Sequence, residues 1–319
     1  MRIIGIERPG RQREVAWLRD DGRTVSPIAE LQAFWREPQR WLERRDTGGS
    51  SLPANRIRRV PPVLPDARVL CVGLNYPAHA AEGSYGTQAL PSHPTIFARF
   101  VRSLSVDGAS LPVPVDEEGL DWEGEVMAWV GTRLVDASSV EAQEAVIGYS
   151  AFNDVTARRA QKRTSQWTLG KNADATGVLG PMTPAAEVGD LARGLAIRTR
   201  VNGQLVQEGS TRDMIYPVGP TLAHISRTIT LEPGDLLATG TPAGVGYARK
   251  SRSTGWARFT TASWITITGA RPSVPDKAGH GDGPKNRKKS PRRHPRVRLR
   301  GLCVVATRKA RVQPSDPGV

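Results

Sequence analysis

An alternating acidic stretch, Leu120–Val126, constrains this chain of 319 residues more than any other feature. Asp121, Glu123 and Glu125 fall at every second position. Side chains two residues apart in a strand project to the same face, so the sequence predicts three neighbouring carboxylates. Burying them without a partner would be costly, and a hard divalent cation such as Mg²⁺ is the simplest neutraliser. The alternative is a solvated acidic face.

The formal net charge of +14 lies almost entirely in the C-terminal region. Residues 251–319 contain 16 Lys and Arg against 3 Asp and Glu, so the rest of the chain is close to neutral. Apart from Phe259–Ile267, little in this basic, Pro- and Gly-rich region favours a packed core, and we expect disorder. One explanation is a shifted reading frame of a GC-rich gene, which we favour. The other is a basic arm that binds nucleic acid or another acidic surface.

The first residues contain no long apolar segment of the kind found in signal peptides or membrane spans. The two cysteines, Cys71 and Cys303, cannot supply a disulfide framework or a thiolate metal site. We therefore expect a cytoplasmic protein with no membrane partner, and we do not expect nucleic acid as a partner.

Turn and periodicity patterns predict three regions. Residues 1–60 alternate short apolar stretches with charged turns, which is typical of a small β-containing domain. A Pro-rich linker leads into a larger domain, residues 61–250, and residues 251–319 form the basic tail. Within the larger domain, Asn202-Gly203 between alternating segments predicts a β-hairpin. Ser138 followed by Glu141 predicts a helix that begins with a capping box.

A histidine and a glutamate follow the apolar segment 68–73. Asn75 is expected to cap a short helix on which His79 and Glu82, three residues apart, share a face. A carboxylate beside an imidazole raises its basicity and orients its ring, as a general base requires. The alternative is a surface contact between His79 and Glu82 with no catalytic role.

Two further candidates lie at the ends of predicted segments. Asp154 ends a predicted strand, where it could reach a metal on a neighbouring strand or cap the following helix. Lys171 lies between Gly and Asn and is either a solvated cation or a group that stabilises an oxyanion. The glycine-dense segment Thr239–Gly246 allows close approach of the backbone to a ligand, but it lacks the Gly-Lys-Ser/Thr of a phosphate loop.

Together, and in this order, these segments resemble the fumarylacetoacetate hydrolase family over roughly residues 66–250. The resemblance implies a β-rich α+β fold, a mixed β-sandwich or roll that carries the catalytic site, with a small N-terminal β-containing domain. The segments that carry it are Gly73–Glu82, Asp121–Glu125, Gly148–Arg158, Trp167–Lys171, Gly180-Pro181, Val201–Gly203, Asp213–Ile215, Leu231–Asp235 and Gly240–Gly246.

The same resemblance implies the roles of individual residues. Glu123, Glu125 and Asp154 would hold Mg²⁺, or alternatively Mn²⁺ or Ca²⁺. His79 and Glu82 would form the catalytic dyad, with Lys171 facing the oxygens of the substrate. The candidates for substrate binding are Tyr76, Met214, Gly240 and Thr241, and further candidates for the pocket wall are Tyr85, Ile215 and Tyr216.

The implied reaction is the cleavage of a C–C bond in an acylpyruvate or fumarylpyruvate type of diketo acid. His79 would activate water, and Lys171 would offset the charge of an enolate. The same scaffold also serves decarboxylases, tautomerases or isomerases, and hydratases of 2-oxo acids, but the dyad favours hydrolysis. A homodimer is expected from the resemblance. An alternative hypothesis, which is not enzymatic, is that the chain is a binding protein that uses the basic tail.

Overall fold

The computed structural model describes residues 1–44, 51–82 and 92–246, together with the backbone of 263–269 and 302–304. The predicted β-rich α+β fold class is confirmed, since most elements are strands in three sheets and the helices are short. No helix within the described ranges is both long enough and apolar enough to cross a bilayer. Tyr85 and most of the basic tail lie outside the described residues.

The first sheet is built from residues 2–60 alone. Its strands are β1 (Arg2–Glu7), β2 (Glu14–Leu18), β3 (Thr24–Glu30), β4 (Leu52–Pro53) and β5 (Arg58–Val60). They pair antiparallel in the order β4-β3-β2-β1-β5. Two helices follow β3, α1 (Leu31–Arg36) and α2 (Pro38–Glu43), and Pro38 is the first residue of α2 because its fixed φ suits a helix start.

A mixed sheet of eight strands forms the centre of the molecule. Its strands are β6 (Val69–Gly73), β7 (Thr95–Arg99), β8 (Leu104–Val106), β9 (Gly124–Val130), β10 (Val146–Asp154), β11 (Gly177–Leu179), β12 (Thr183–Pro184) and β15 (Leu236–Ala238). The order is β7-β6-β15-β9-β10-β11-β8, with β12 beside β10. The pairs β6–β15 and β8–β11 are parallel and the others antiparallel.

The third sheet contains the predicted hairpin. Its strands are β13 (Leu195–Val201), β14 (Gln204–Ser210), β16 (Ser263–Gly269) and β17 (Leu302–Val304), in the antiparallel order β14-β13-β16-β17. Asn202 and Gly203 both have positive φ, 51° and 81°, as a two-residue hairpin turn requires. Strand β16 overlaps the segment Phe259–Ile267, which was the part of the tail that favoured a core.

The described residues contain six further α-helices, which lie between the strands in the sequence. They are α3 (Pro77–Ala80), α4 (Ser139–Glu144), α5 (Arg158–Gln161), α6 (Thr168–Lys171), α7 (Ala185–Val188) and α8 (Val218–Ser226). The predicted capping box at the start of α4 is confirmed, because the side chain of Ser138 accepts from the Glu141 amide and the Glu141 carboxylate accepts from the Ser138 amide. The helix that follows Asp154 is α5, and its N-cap is Ala157, so Asp154 does not cap it.

The central sheet buries both of its faces. Val126 and Ala128 of β9 belong to a core shared with α4, α8 and β13. Met127 and Trp129 point the other way, into a core shared with the first sheet and α1. The ring of Trp129 stacks on that of Trp35, with centroids 5.9 Å apart and planes 3° apart. This contact packs α1, the helix that follows β3 of the first sheet, against the central sheet.

The acidic stretch is not one continuous strand, which corrects the sequence-based expectation. Strand β9 begins at Gly124, and Asp121 forms only an isolated antiparallel bridge with Thr156. Glu123 and Glu125 retain the expected common face, which continues through Met127 into the core against the first sheet. The third carboxylate therefore has different surroundings from the other two.

We expect Trp129→Ala to lower the free energy of unfolding by about 3–5 kcal/mol, because it removes a fully buried ring and its stacking contact with Trp35. Urea unfolding followed by circular dichroism measures the loss. The control is Val135→Ala, since Val135 is 52% exposed and should change the stability little. Equal stability of Trp129→Ala and the wild type would contradict this account of the core.

Candidate active site

Three carboxylates converge where strands β9 and β10 pair. Glu125 lies opposite Phe152, and the Asp154 amide donates to the Glu123 carbonyl at 2.9 Å. One carboxylate oxygen from each of Glu123, Glu125 and Asp154 lies within 4.8 Å of the other two, and all three residues are buried. The predicted convergence of two separate segments is therefore present in the structure.

Lys171 is buried against this cluster rather than solvated. Its Nζ donates to Glu123 Oε2 at 2.7 Å and to Asp154 Oδ2 at 2.6 Å. Burial of Lys171 disfavours its charged form, but the charges of Asp154 and Glu123 outweigh that effect and raise its pKa. The ammonium group thus bridges two of the three carboxylates.

Two arginines that the sequence analysis did not assign to the site complete its charge balance. Arg158, at the start of α5, contacts Glu123 Oε1 at 2.6 Å and Asp121 Oδ2 at 2.7 Å. Arg99, at the end of β7, is fully buried and its Nε donates to Asp154 Oδ1. Burial raises the pKa of Glu123, but Lys171 and Arg158 lower it to about 2.

Glu125 differs from its neighbours because no Lys, Arg or His of the described ranges forms an ion pair with it. Its Oε2 accepts the backbone N–H of Gly240 at 2.9 Å. Burial, followed by the charges of Asp154 and Glu123, raises the pKa of Glu125 well above its usual range. A buried cluster of carboxylate oxygens with one uncompensated member is the donor set that a hard divalent cation prefers. The residues therefore fit such an ion.

The predicted dyad lies beside this cluster. Leu74 has a φ of 55°, an unusual value for a residue with a branched side chain, and the chain turns there from β6 toward α3. His79 Nδ1 lies 3.2 Å from Glu82 Oε2. Both oxygens of Glu82 also accept the Gly244 amide, at 2.7 and 3.0 Å. Glu82 therefore holds the imidazole and is itself held by the glycine-dense loop.

Asn75 does not cap α3, which corrects the sequence-based expectation. The N-cap is Tyr76, without a side-chain hydrogen bond. The Asn75 side chain instead donates to the carbonyls of Tyr216 and Thr239, at 3.0 and 2.7 Å, and accepts from the Tyr216 amide. A buried amide can satisfy long-range backbone groups as well as a helix end, and here it ties the base of α3 to two distant loops.

A cavity of about 480 Å³ brings these groups together, with His79, Glu82, Glu123, Glu125 and Lys171 in its wall. Of the candidates for substrate binding, Thr241 also lines the cavity. Tyr76 and Met214 are largely buried in the core, and Gly240 uses its amide to hold Glu125. Their roles in substrate binding stay predictions.

Three contributors were missed at the sequence level: Arg99, Arg158 and Gln207. The side-chain oxygen of Gln207 accepts the amide of Gly124, between Glu123 and Glu125, at 2.9 Å. Arg158 ends the segment Gly148–Arg158 that carries the family resemblance, so it could have been selected. Arg99 ends an ordinary short strand and Gln207 lies in the middle of a hairpin strand, and neither position has a local signature. Only the strand order brings them to the acidic cluster.

Comparison with known proteins identifies similar sequences over most of the chain. A family model for the C-terminal domain of fumarylacetoacetate hydrolases matches residues 68–277. This match continues past residue 250, where the sequence analysis ended the larger domain, and that boundary stays a prediction.

Several curated relatives are named oxaloacetate tautomerases. The one from Bacillus subtilis is 39% identical over 235 residues, which are 70% of this chain and 77% of that protein. The mitochondrial one from Xenopus laevis is 33% identical over 207 residues, 64% of each chain, so the match spans less than two thirds of that relative.

Solved structures carry other names. The 2-hydroxyhepta-2,4-diene-1,7-dioate isomerase from Mycobacterium marinum has a TM-score of 0.63 and 30% identity, covering 84% of this chain and 93% of that chain. The fumarylpyruvate hydrolase from Pseudomonas aeruginosa, solved with Mn²⁺ and pyruvate, has a TM-score of 0.54 and 31% identity, covering 66% and 86%. Proteins that share this fold are therefore named after different reactions.

We expect Lys171→Met to destabilise the metal-free protein by about 3 kcal/mol, because it leaves Glu123 and Asp154 without their shared buried cation. Urea unfolding in the presence of a chelator measures this loss. Addition of MgCl₂ should restore more stability to the variant than to the wild type, since the ion replaces the missing charge.

The control for Lys171→Met is Lys162→Met, at the edge of the same cavity. It removes the same charge at a residue outside the described ion pairs of the acidic cluster and should change stability by less than about 1 kcal/mol. If Lys171→Met in chelator were as stable as the wild type, the bridging contacts would not stabilise the site.

Proposed function

Because the chain belongs to the fumarylacetoacetate hydrolase family, we propose that it is a divalent-metal-dependent enzyme that interconverts the keto and enol forms of a 2-oxo dicarboxylic acid such as oxaloacetate. The observation that carries the proposal is the convergence of Glu123, Glu125 and Asp154 beside His79 and Glu82. The names of several relatives support this reaction, and the cluster of three carboxylates supports its chemistry.

Glu123, Glu125 and Asp154 would hold the metal ion, with Mg²⁺ or Mn²⁺ as the ions that suit carboxylate oxygens. When bound, such an ion supplies a Lewis acid for the keto oxygen and the adjacent carboxylate of a 2-oxo acid. The cavity wall presents two of these side chains, Glu123 and Glu125, to a molecule that enters it.

Proton transfer is assigned to His79. Its Nδ1 faces Glu82, so the other ring nitrogen, Nε2, is the one available to a substrate. In the keto-to-enol direction Nε2 takes a proton from the carbon next to the keto group, the C–H electrons form the C=C bond and the carbonyl π electrons move to oxygen, which then takes a proton from solvent. In the reverse direction the oxygen loses its proton to solvent and the imidazolium returns a proton to the carbon. Glu82 orients the ring and stabilises the imidazolium that forms, while its contacts to Gly244 fix it in place.

Charge that develops on the substrate oxygen needs a positive partner, and we assign this role to Lys171. Lys171 lines the cavity, and its ammonium group lies 2.7 Å from Glu123, one of the candidate metal ligands. Arg158, in the same wall, is placed to attract the carboxylates of an anionic substrate. Both side chains contact the acidic cluster in the metal-free protein.

A second candidate is hydrolysis of a C–C bond in a diketo acid of the fumarylpyruvate type. The observation that favours it is the likeness to the fumarylpyruvate hydrolase solved with Mn²⁺ and pyruvate. In this reaction His79 would activate a water molecule instead of taking a proton from carbon. Tautomerisation ranks first because several relatives, including the Bacillus subtilis protein at 39% identity, are named oxaloacetate tautomerases. The His79–Glu82 pair, from which the sequence favoured hydrolysis, can serve either reaction.

The two candidates give different products. Purified protein, stripped of metal and then supplied with MgCl₂, is mixed with enol-oxaloacetate, and the loss of enol absorbance is followed while NMR identifies the product. We expect metal-dependent conversion to keto-oxaloacetate with no fragment. If fumarylpyruvate were instead split into fumarate and pyruvate while oxaloacetate reacted no faster than without protein, hydrolysis would replace tautomerisation as the function.

We expect His79→Gln to lower kcat by about 10²–10⁴-fold, because it removes the proton-transfer group and leaves the acidic cluster intact. Steady-state kinetics measure the loss, and Mn²⁺ titration should show unchanged metal affinity. The control is His93→Gln, an exposed histidine that stacks on His224 away from the cluster and should leave kcat unchanged. Full activity of His79→Gln would remove His79 from the mechanism.

A further inference from the structure

We propose that Gln207 is a positioning residue of the metal site, an inference that rests on the proposed function. Gln207 lies in the hairpin strand β14, is 1% exposed, and has no place among the groups that contact a substrate. Its side chain reaches the backbone between two candidate metal ligands, because Gly124 separates Glu123 from Glu125.

A closed ring of hydrogen bonds surrounds Gly124. The Gly124 amide donates to Gln207 Oε1 at 2.9 Å, and Gln207 Nε2 donates to Thr241 Oγ1 at 2.8 Å. Thr241 Oγ1 in turn donates to the Gly124 carbonyl at 3.0 Å. The amide and the carbonyl of Gly124 are thus both held, and the two side chains that hold them also hold each other.

The hydrogen-bonding capacity of the Gln207 amide is committed at both ends. Besides Thr241, its Nε2 donates to the Pro242 carbonyl at 2.8 Å. Both N–H groups have acceptors and the oxygen has a donor, so only one orientation of the amide satisfies all three contacts. A buried side chain satisfied in this way has little freedom to rotate, and it transmits its position to the Gly124 backbone.

The surrounding packing leaves little room for this unit to shift. A Cβ at Gly209 would lie 2.5 Å from Pro242 Cβ, and a Cβ at Gly244 would lie 2.3 Å from the Val206 carbonyl oxygen. The glycine-dense loop is therefore pressed directly against β14. The other side of the ligand pair is held as well, because Asn153 Oδ1 accepts the Glu123 amide at 3.0 Å.

The ring has a consequence for Thr241. Its hydroxyl hydrogen is used by the Gly124 carbonyl, so the hydroxyl does not donate to a substrate while the ring is closed. Thr241 and Gln207 therefore act together on the spacing of Glu123 and Glu125. Loss of either side chain would leave a buried backbone group of Gly124 without its partner and let the two carboxylates drift.

The test compares Gln207→Met with the wild type by calorimetric titration of the metal-free proteins with MnCl₂. Methionine has a similar length and volume but cannot form the ring. Groups that orient metal ligands without contacting the metal themselves typically contribute 10–100-fold to metal affinity. We therefore expect the Kd for Mn²⁺ to rise by at least about tenfold. A purely structural role would lower the melting temperature and leave this Kd unchanged.

The matched control is Thr199→Val. Thr199 lies opposite Gln207 in the hairpin, is fully buried, and its hydroxyl has no hydrogen-bond partner within the described residues. The substitution keeps the shape and disturbs the same hairpin without touching Gly124, so the Kd for Mn²⁺ should stay within about twofold of the wild type. If Gln207→Met does not fold, Thr241→Val opens the same ring and should raise the Kd in the same way.

The outcomes separate this inference from the proposed function. If the wild type and the folded ring variant bound Mn²⁺ equally well, or if Thr199→Val weakened binding as much, Gln207 would not be a positioning residue. If the wild type bound no Mn²⁺, both the metal-dependent function and this inference would be overturned. Weakened binding in the ring variant alone supports the inference.

Discussion

Compensation of buried charge is the interaction on which the site depends. Lys171 lies between Glu123 and Asp154, and each of these carboxylates has an additional arginine partner. Removing charges from water is costly, so the cluster is stable only because nearly every carboxylate has a cation at contact distance. Glu125 is the exception, and a divalent ion beside it would reverse the net charge of the cluster. A positive site of this kind suits an anionic 2-oxo acid. The four carboxylates are Asp121, Glu123, Glu125 and Asp154, and the three cations are Arg99, Arg158 and Lys171.

The register between strands β9 and β10 determines where the carboxylates of the cluster lie. The antiparallel pairing of β9 with β10 sets Glu125 opposite Phe152, which places Asp154 on the same face as both glutamates. A slip of one residue would turn Asp154 to the other face, among the apolar side chains that pack on α4 and α8. The register is protected because the same face continues through Trp129 into the core against the first sheet. The part of the fold that contributes no site residue therefore helps to keep the ligands aligned.

Sequence reasoning identified the groups whose signals are local. The alternation of Glu123 and Glu125, the spacing of His79 and Glu82, and the hairpin at Asn202-Gly203 follow from short-range rules, and the structure contains all of these arrangements. Long-range partners were not accessible in this way. Asn75 was assigned to a helix cap because caps are its commonest use, whereas the fold uses it to join distant loops. Gln207 lies 83 positions along the chain from Gly124, and Arg99 lies 55 positions from Asp154. The homodimer and the role of the basic tail stay predictions, since neither depends on a residue of the described site.

The central claim is that carboxylates from two separate strands hold one divalent ion next to the His79–Glu82 pair. Crystals grown with MnCl₂ and measured near the manganese absorption edge test it most directly, because anomalous scattering locates the ion without reference to activity. The account predicts one strong peak within coordination distance of Glu123, Glu125 and Asp154, with Lys171 displaced from its bridging position or in contact with the outer side of the carboxylates. A protein that takes up Mn²⁺ at other residues, or shows no peak while Lys171 still bridges Glu123 and Asp154, would contradict it.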